Sequence, residues 1–221
     1  MNKKITTADA AVELIEDGAT VMIGGFASVG TPELLINALV AKGSKNLTII
    51  SCDAGRANSG VGKLIKNGQV KKLIASHVGL NSDVCKRTPE NPAVNNVEYV
   101  FVPQGTLAEC IRAGGCGLGG FLTPVGIGTL VAEDKQIITL KGRDYLLEEP
   151  LAADFALIHG SIVDESGNVF YNMTTRNFNP AMAMAAKHVI VGAEKIVAKG
   201  SIDPNTVMTP ALFVDAIVGG V

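Results

Sequence analysis

The sequence predicts an α/β protein: a mainly parallel sheet flanked by helices on both faces, with an antiparallel hairpin portion. Short β-branched runs alternate with helical stretches along most of the 221 residues, and that alternation is the signature of a parallel sheet covered on both sides. The pair QIITL and RDYLLE supplies the antiparallel part, as do the turn residues DESGN between two further strand-like runs. No linker, charge run or repeat divides the chain, so residues 1–221 are read as one domain, and 47% hydrophobic residues suffice for its core.

Residues 7–16 read as an amphipathic helix with acids at Asp9, Glu13 and Glu16. TVMIGG is the first strand, its Val21, Met22 and Ile23 forming a buried run. The helix at 32–41 has Thr31 as N-cap, Pro32 as first helical residue and Glu33 complementing the helix dipole; Leu34, Leu35, Ala38 and Leu39 make one apolar face. NLTIIS, KKLIAS and VEYVFV continue the strands before a helix at 105–113. After the QIITL and RDYLLE pair come DFALIHGSIV, NVFYN, a helix at 178–186 and the strand HVIVGA.

Composition excludes several classes. A formal net charge of -2 leaves no basic footprint for nucleic acid, so acidic metabolites would be held by local backbone donors. The start MNKKITTADAAVELIEDG carries acids where a signal peptide is apolar, and no run approaches a bilayer span; a cytoplasmic protein is expected. Cys52, Cys85, Cys110 and Cys116 form no C-x-x-C pair and no zinc-spaced cluster with histidine, so reduced thiols and no metal are expected; Cys116, between glycines, reads as small and buried, with a reactive thiol as the alternative.

VMIGGFASVGTPELL combines a strand, a glycine loop and a helix N-terminus, the arrangement by which α/β proteins receive an anion or carbonyl at the carboxyl end of a sheet. Gly24 and Gly25 permit close approach, and a branched side chain at Gly25 is expected to block a ligand while leaving the chain folded. Tight strand-to-helix packing is the alternative use of such a loop. Two better-known glycine motifs fail. Gly115, Gly117 and Gly120 have dinucleotide spacing, yet they follow the helical LAECIRA and precede no helix. Gly62-Lys63 resembles the end of a phosphate loop, but Ala57 replaces the first glycine and Leu64 the magnesium-binding hydroxyl.

Chemical groups are scarce. Glu165 in DESGN could act as a carboxylate nucleophile, but its neighbours are those of a hairpin turn. His77, His159 and His188 lie in or beside apolar runs without a nucleophile elbow and read as packed or solvent-edge imidazoles.

Asp17-Gly18, Val21-Met22-Ile23, Gly24-Gly25-Phe26, Gly30 and Pro32, at these spacings, reproduce the first signature of the family I coenzyme A transferases. VPQGTLAECIRAGG, GFLTPVGIGTLV, SIVDESGN, TTRNFNP and MTP resemble the A subunits of that family, so the resemblance covers essentially the whole chain. It is most similar to subunits that exchange coenzyme A between acetoacetyl, butyryl and acetyl groups. The resemblance implies the CoA-transferase fold, coenzyme A and its thioesters as substrates, no permanently bound cofactor, and an α2β2 assembly with a B subunit whose glutamate forms the acyl intermediates. It further implies that Gln104 faces the reacting acyl group and that Gly24, Gly25, Phe26, Ala27, Ser28, Val29 and Gly30 contact coenzyme A, with Gly114, Gly115 and Gly117 on the same wall or merely relieving crowding. A metabolite-sensing module and a stand-alone acyl-CoA thioesterase remain as other uses of such a domain.

Overall fold

The computed structural model describes residues 4–86 and 91–219. In chain order the first half comprises β1 (Lys4–Ile5), α1 (Ala8–Val12), β2 (Thr20–Ile23), α2 (Glu33–Lys42), β3 (Leu47–Ser51), α3 (Val61–Lys66), β4 (Val70–Ala75), α4 (Ser82–Lys86), α5 (Pro92–Asn95), β5 (Glu98–Phe101) and α6 (Gln104–Gly115). The second half comprises β6 (Phe121–Thr123), β7 (Ile137–Leu140), β8 (Arg143–Glu148), β9 (Ala153–Asp164), β10 (Val169–Phe170), α7 (Asn179–Met184), β11 (Ala186–Val197) and β12 (Ala216–Gly219).

The large sheet has the order β1-β12-β11-β9-β2-β3-β4-β5, with β10 pairing off β9, and every pair along the main path is parallel. β6, β8 and β7 form a separate antiparallel sheet, the expected hairpin portion. One face of the large sheet, with Val21, Ile23, Ile49 and Leu157, packs on apolar residues of α1 to α5. The other, with Met22, Ile50, Ala156 and Ile158, packs on Leu107 and Ile111 of α6 and Met182 and Ala183 of α7. Successive strand residues point to opposite faces, so an unbroken run such as VMI serves both cores.

The chain leaves the two central strands in opposite directions. β2 leads through α2 to β3 on one side, and β9 leads through β10 and α7 to β11 on the other. The β2/β9 boundary is therefore a switch point, outside whose carboxyl edge open α/β sheets form their ligand crevices.

Several boundaries differ from expectation. α1 and α7 are shorter than the spans 7–16 and 178–186. α2 begins at Glu33, with Pro32 as its cap residue and no side-chain cap bond from Thr31. DESGN does make the β9–β10 hairpin: the Asp164 carboxylate accepts from the backbone N–H groups of Ser166 and Asn168 at 2.9 and 3.0 Å and from the Asn168 amide at 2.9 Å. Burial opposes ionisation of Asp164, yet these bonds hold its pKa below the ordinary carboxylate value.

Candidate functional site at the sheet switch point

The Gly24–Gly30 loop springs from β2 at the switch point. Phe26 and Val29 pair antiparallel across a tip in which Ala27 and Ser28 both have positive φ, 49° and 75°. Those are the central signs of a type I′ turn, adopted here without glycine at either position.

Most amides of the loop have protein partners. Gly24 N–H donates to the Leu157 carbonyl, Gly25 N–H to Asn177 Oδ1 at 3.1 Å, and Ala27 N–H to Asp53 Oδ2 at 2.8 Å, while Phe26 and Val29 satisfy each other. The loop thus offers a ligand a fixed surface more than a nest of free donors, contrary to the expectation of backbone anion holding. Its glycines are required by the protein itself. A Cβ on Gly24 would lie 1.9 Å from Asn179 Oδ1, and one on Gly30 2.4 Å from the Thr175 carbonyl. Gly25 has φ +122°, and its Cβ would meet Thr31 Oγ1 at 2.2 Å, so Gly25→Val disrupts the loop before any ligand is considered.

Gln104 is the first residue of α6, not part of a free turn, and it is exposed. Its amide has no hydrogen-bond partner among the described residues. Gln104 and Phe26 face one groove of about 520 Å³, completed by Gly105, Ala108, Asn177, Phe178 and Ala181. The groove is largely apolar with two amide side chains, the composition of a site that buries an organic chain and orients a polar end. Two residues on, the buried Thr106 hydroxyl has no hydrogen-bond partner among the described residues.

The family description "Coenzyme A transferase" matches residues 5–220. The chain belongs to the coenzyme A transferase family. It is 53% identical over 218 residues to the acetoacetyl-CoA:acetate/butyrate CoA transferase alpha subunit of Clostridium acetobutylicum, covering 99% of this chain and 98% of that one. It is 44% identical to the acetate CoA-transferase subunit alpha of Escherichia coli, covering 99% and 97% of the two chains. Among solved structures, the fold is similar to glutaconate coenzyme A-transferase from Acidaminococcus fermentans, with a TM-score of 0.83 at 20% identity over 97% of this chain and 75% of that one. An Escherichia coli acyl-CoA transferase, solved as a thioester complex with CoA, also superposes with a TM-score of 0.83, at 24% identity; 99% of this chain covers 47% of that longer chain.

The remaining family-derived site residues lie elsewhere. α6 carries Gln104 and Gly114–Gly115 at opposite ends, about 15 Å apart along its axis. A Cβ on Gly114 would strike the Leu151 carbonyl at 2.0 Å, and one on Gly115 Met184 Cβ at 2.7 Å, so both let α6 pack closely. Gly117, φ +69°, has open space around it. Cys116 is exposed, contrary to the buried reading, because it ends the helix; the Arg112 guanidinium is 3.5 Å from its sulfur. Burial pushes Cys52 and Cys110 up to about 11, and a thiol held protonated is a poor nucleophile. Among the described residues no group of three or more His, Cys, Asp or Glu side chains could hold a metal, and no helix is long and apolar enough to cross a membrane.

Glu165 is exposed in its turn, accepting from Lys199 N–H at 3.2 Å. His159 is buried, and that burial lowers its pKa against the opposing pull of Glu194 at 3.6 Å. His188 is exposed beside Phe155, whereas half-buried His77 lies 6.4 Å from the Phe26 ring. Each occupies the packed or solvent-edge position expected of it.

Sequence reasoning overlooked the residues that hold this transferase loop in place. Asn179, fully buried at the start of α7, accepts from His159 N–H at 2.9 Å and donates to the carbonyls of Gly30 and Thr175 at 2.9 and 2.8 Å. Asn177 adds bonds to Gly25 N–H and the Val29 carbonyl. Both belong to TTRNFNP, a visible motif, but their partners in the glycine loop are about 150 residues away. Asp53 was overlooked as well.

Proposed function

We propose that this chain is the non-nucleophilic A subunit of a CoA-transferase that exchanges coenzyme A between short-chain acyl- or 3-oxoacyl-CoA and a carboxylic acid such as acetate, butyrate or acetoacetate. The observation that carries this reading is the single groove shared by Phe26 of the Gly24–Gly30 loop and the unpartnered Gln104 amide, in a chain 53% identical to an alpha subunit that acts on such acids. A partner B subunit, in an α2β2 cytoplasmic assembly, supplies the glutamate. Coenzyme A and its thioesters are substrates, with no resident cofactor required.

The partner's carboxylate attacks the thioester carbonyl and expels coenzyme A thiolate, leaving an acyl anhydride. The thiolate then attacks the glutamyl carbonyl, releasing the first acid and forming a glutamyl thioester; the second acid reverses these two steps with its own carboxylate. Every step passes through a tetrahedral oxyanion. The Gln104 side-chain N–H₂ stands free to donate to that oxygen, and such pre-placed donors contribute about 2.7–4 kcal/mol apiece. The loop from Gly24 to Gly30, with Phe26 exposed at its tip, takes the thioester arm. Gly114 and Gly115 serve α6 packing in this reading, and Gly117 stands apart from the groove.

Co-expression with a B subunit tests the assignment. Transfer of coenzyme A from acetoacetyl-CoA to acetate should require both chains, and hydrolysis by this chain alone would identify a thioesterase instead. Borohydride should reduce a glutamyl thioester on the partner and leave this chain unmarked, and Glu165→Gln should retain full transfer. Labelling of Glu165, with loss of transfer in Glu165→Gln, would overturn the assignment.

A further inference from the structure

We infer that Asp53 is the positioning residue that holds the Gly24–Gly30 loop in its ligand-receiving shape; the inference rests on the role proposed for that loop. Asp53 is 5% exposed and stands just past the end of β3, where Ser76 N–H bonds the Cys52 carbonyl and an isolated bridge joins Asp53 to His77. The sheet itself therefore fixes its backbone, and Ser51 Oγ–H adds a 2.7 Å bond to its carbonyl.

From this fixed point the carboxylate faces two loops. Oδ2 accepts from Ala27 N–H and Oδ1 from Gly55 N–H, both at 2.8 Å. Ala27 is the first of two successive non-glycine residues with positive φ, a conformation that L-residues disfavour. A charge-assisted bond to the Ala27 N–H offsets that strain in part. The Ser28 and Ser59 hydroxyls, 3.0 Å apart, add a second polar link between the two loop tips. The narrow space between the loops, about 10 Å³, has room for one water at most and is too small to bring an organic ligand against Asp53. Asp53 acts through Ala27.

The test uses the assembled enzyme with its B subunit, and reads the Kd of free coenzyme A by calorimetry beside kcat at saturating acetoacetyl-CoA and the melting temperature. Asp53→Ala should weaken coenzyme A about tenfold or more, the size of a lost charge-assisted bond, with kcat changed by less than about threefold. Asp53→Asn can accept from only one of the two N–H groups and should fall between wild type and Asp53→Ala, which keeps the question answerable if the alanine variant fails to assemble. An unchanged Kd in either folded variant overturns the inference, as does an equal loss in both that tracks melting temperature alone. A wild-type complex that neither binds nor transfers coenzyme A would instead remove the functional reading beneath it.

Discussion

Two glycine loops leave adjacent parallel strands of this molecule and share a plan, yet only one faces the candidate groove. Gly25–Gly30 follows β2 and Gly55–Gly60 follows β3; both have the pattern G-x-x-x-x-G, positive φ at both glycines, and an antiparallel bridge between the second and fifth residues, Phe26 with Val29 and Arg56 with Ser59. The tips differ. Ala27 and Ser28 are left-handed, whereas Ala57 and Asn58 are not. The bracing differs too, for the first loop is tied by Asn177, Asn179 and Asp53, and the second by Asp53 and by Glu33, which accepts from Gly60 N–H at 2.6 Å and pairs with Lys63 at 2.6 Å. A glycine pattern thus specifies a backbone shape, while the fold sets which copy lies beside the groove at the α6 N-terminus.

The largest contrast expected is in stability. Gly30→Ala combines φ +67° with a Cβ 2.4 Å from a backbone carbonyl that Asn179 helps to fix, and strain plus overpacking should destabilise the chain by roughly 2–5 kcal/mol. At Gly60 the nearest atom to a Cβ is a methyl at 3.4 Å, so Gly60→Ala should cost only the backbone term, about 1–3 kcal/mol. Denaturant midpoints of the two variants settle the order. Equal losses would mean that the first loop is no more tightly docked than the second.

Next comes rate. Only the first loop has a free amide across a groove from its tip, so Gln104→Ala should lower kcat by about 10²–10³ while leaving the melting temperature unchanged, because the amide bonds nothing in the protein. A rise in KM at constant kcat would make Gln104 a binding group and move the oxyanion donor to the partner chain.

The same contrast shows how much of this protein was legible in its sequence. The strand cores were, because VMI, LTII and LIHGSIV carry β-branched residues that bury on both faces of the sheet. Short elements were not. β1, at the edge of the sheet, and its neighbour β12 have only two and four residues, and α3, α4 and α5 are too short to show a helical period. The first loop and Gln104 were legible through long motifs, although 78 positions separate Phe26 from Gln104 and only the fold brings the two to one groove. Asn179 and Asp53 were not, since their role is to bond backbone groups distant in sequence, which leaves no local spacing to read. Gly62-Lys63, just past the second loop, resembles a phosphate-loop end in sequence but lies within α3. What stands there is tight packing, with a Gly62 Cβ position 1.8 Å from the Arg56 carbonyl and Lys63 paired to Glu33.

The smallest expected effect compares the tips themselves. Phe26, 40% exposed, projects into the groove, and Arg56 holds the equivalent place on the second loop, exposed and outside it. Burying part of an aromatic ring against a thioester arm contributes about 1 kcal/mol, so Phe26→Ala should raise the KM for acyl-CoA by about three- to tenfold with kcat nearly unchanged. Arg56→Ala removes a charge with no protein partner among the described residues, and it should alter KM by less than about threefold at physiological salt. Steady-state kinetics of both variants in 50 and 200 mM salt make the comparison sharp, because a phosphate contact weakens as salt rises and an apolar contact does not. A salt-dependent loss at Arg56 equal to that at Phe26 would show that both loops touch coenzyme A, and that the switch point selects the acyl end of the site without excluding its neighbour from the nucleotide end.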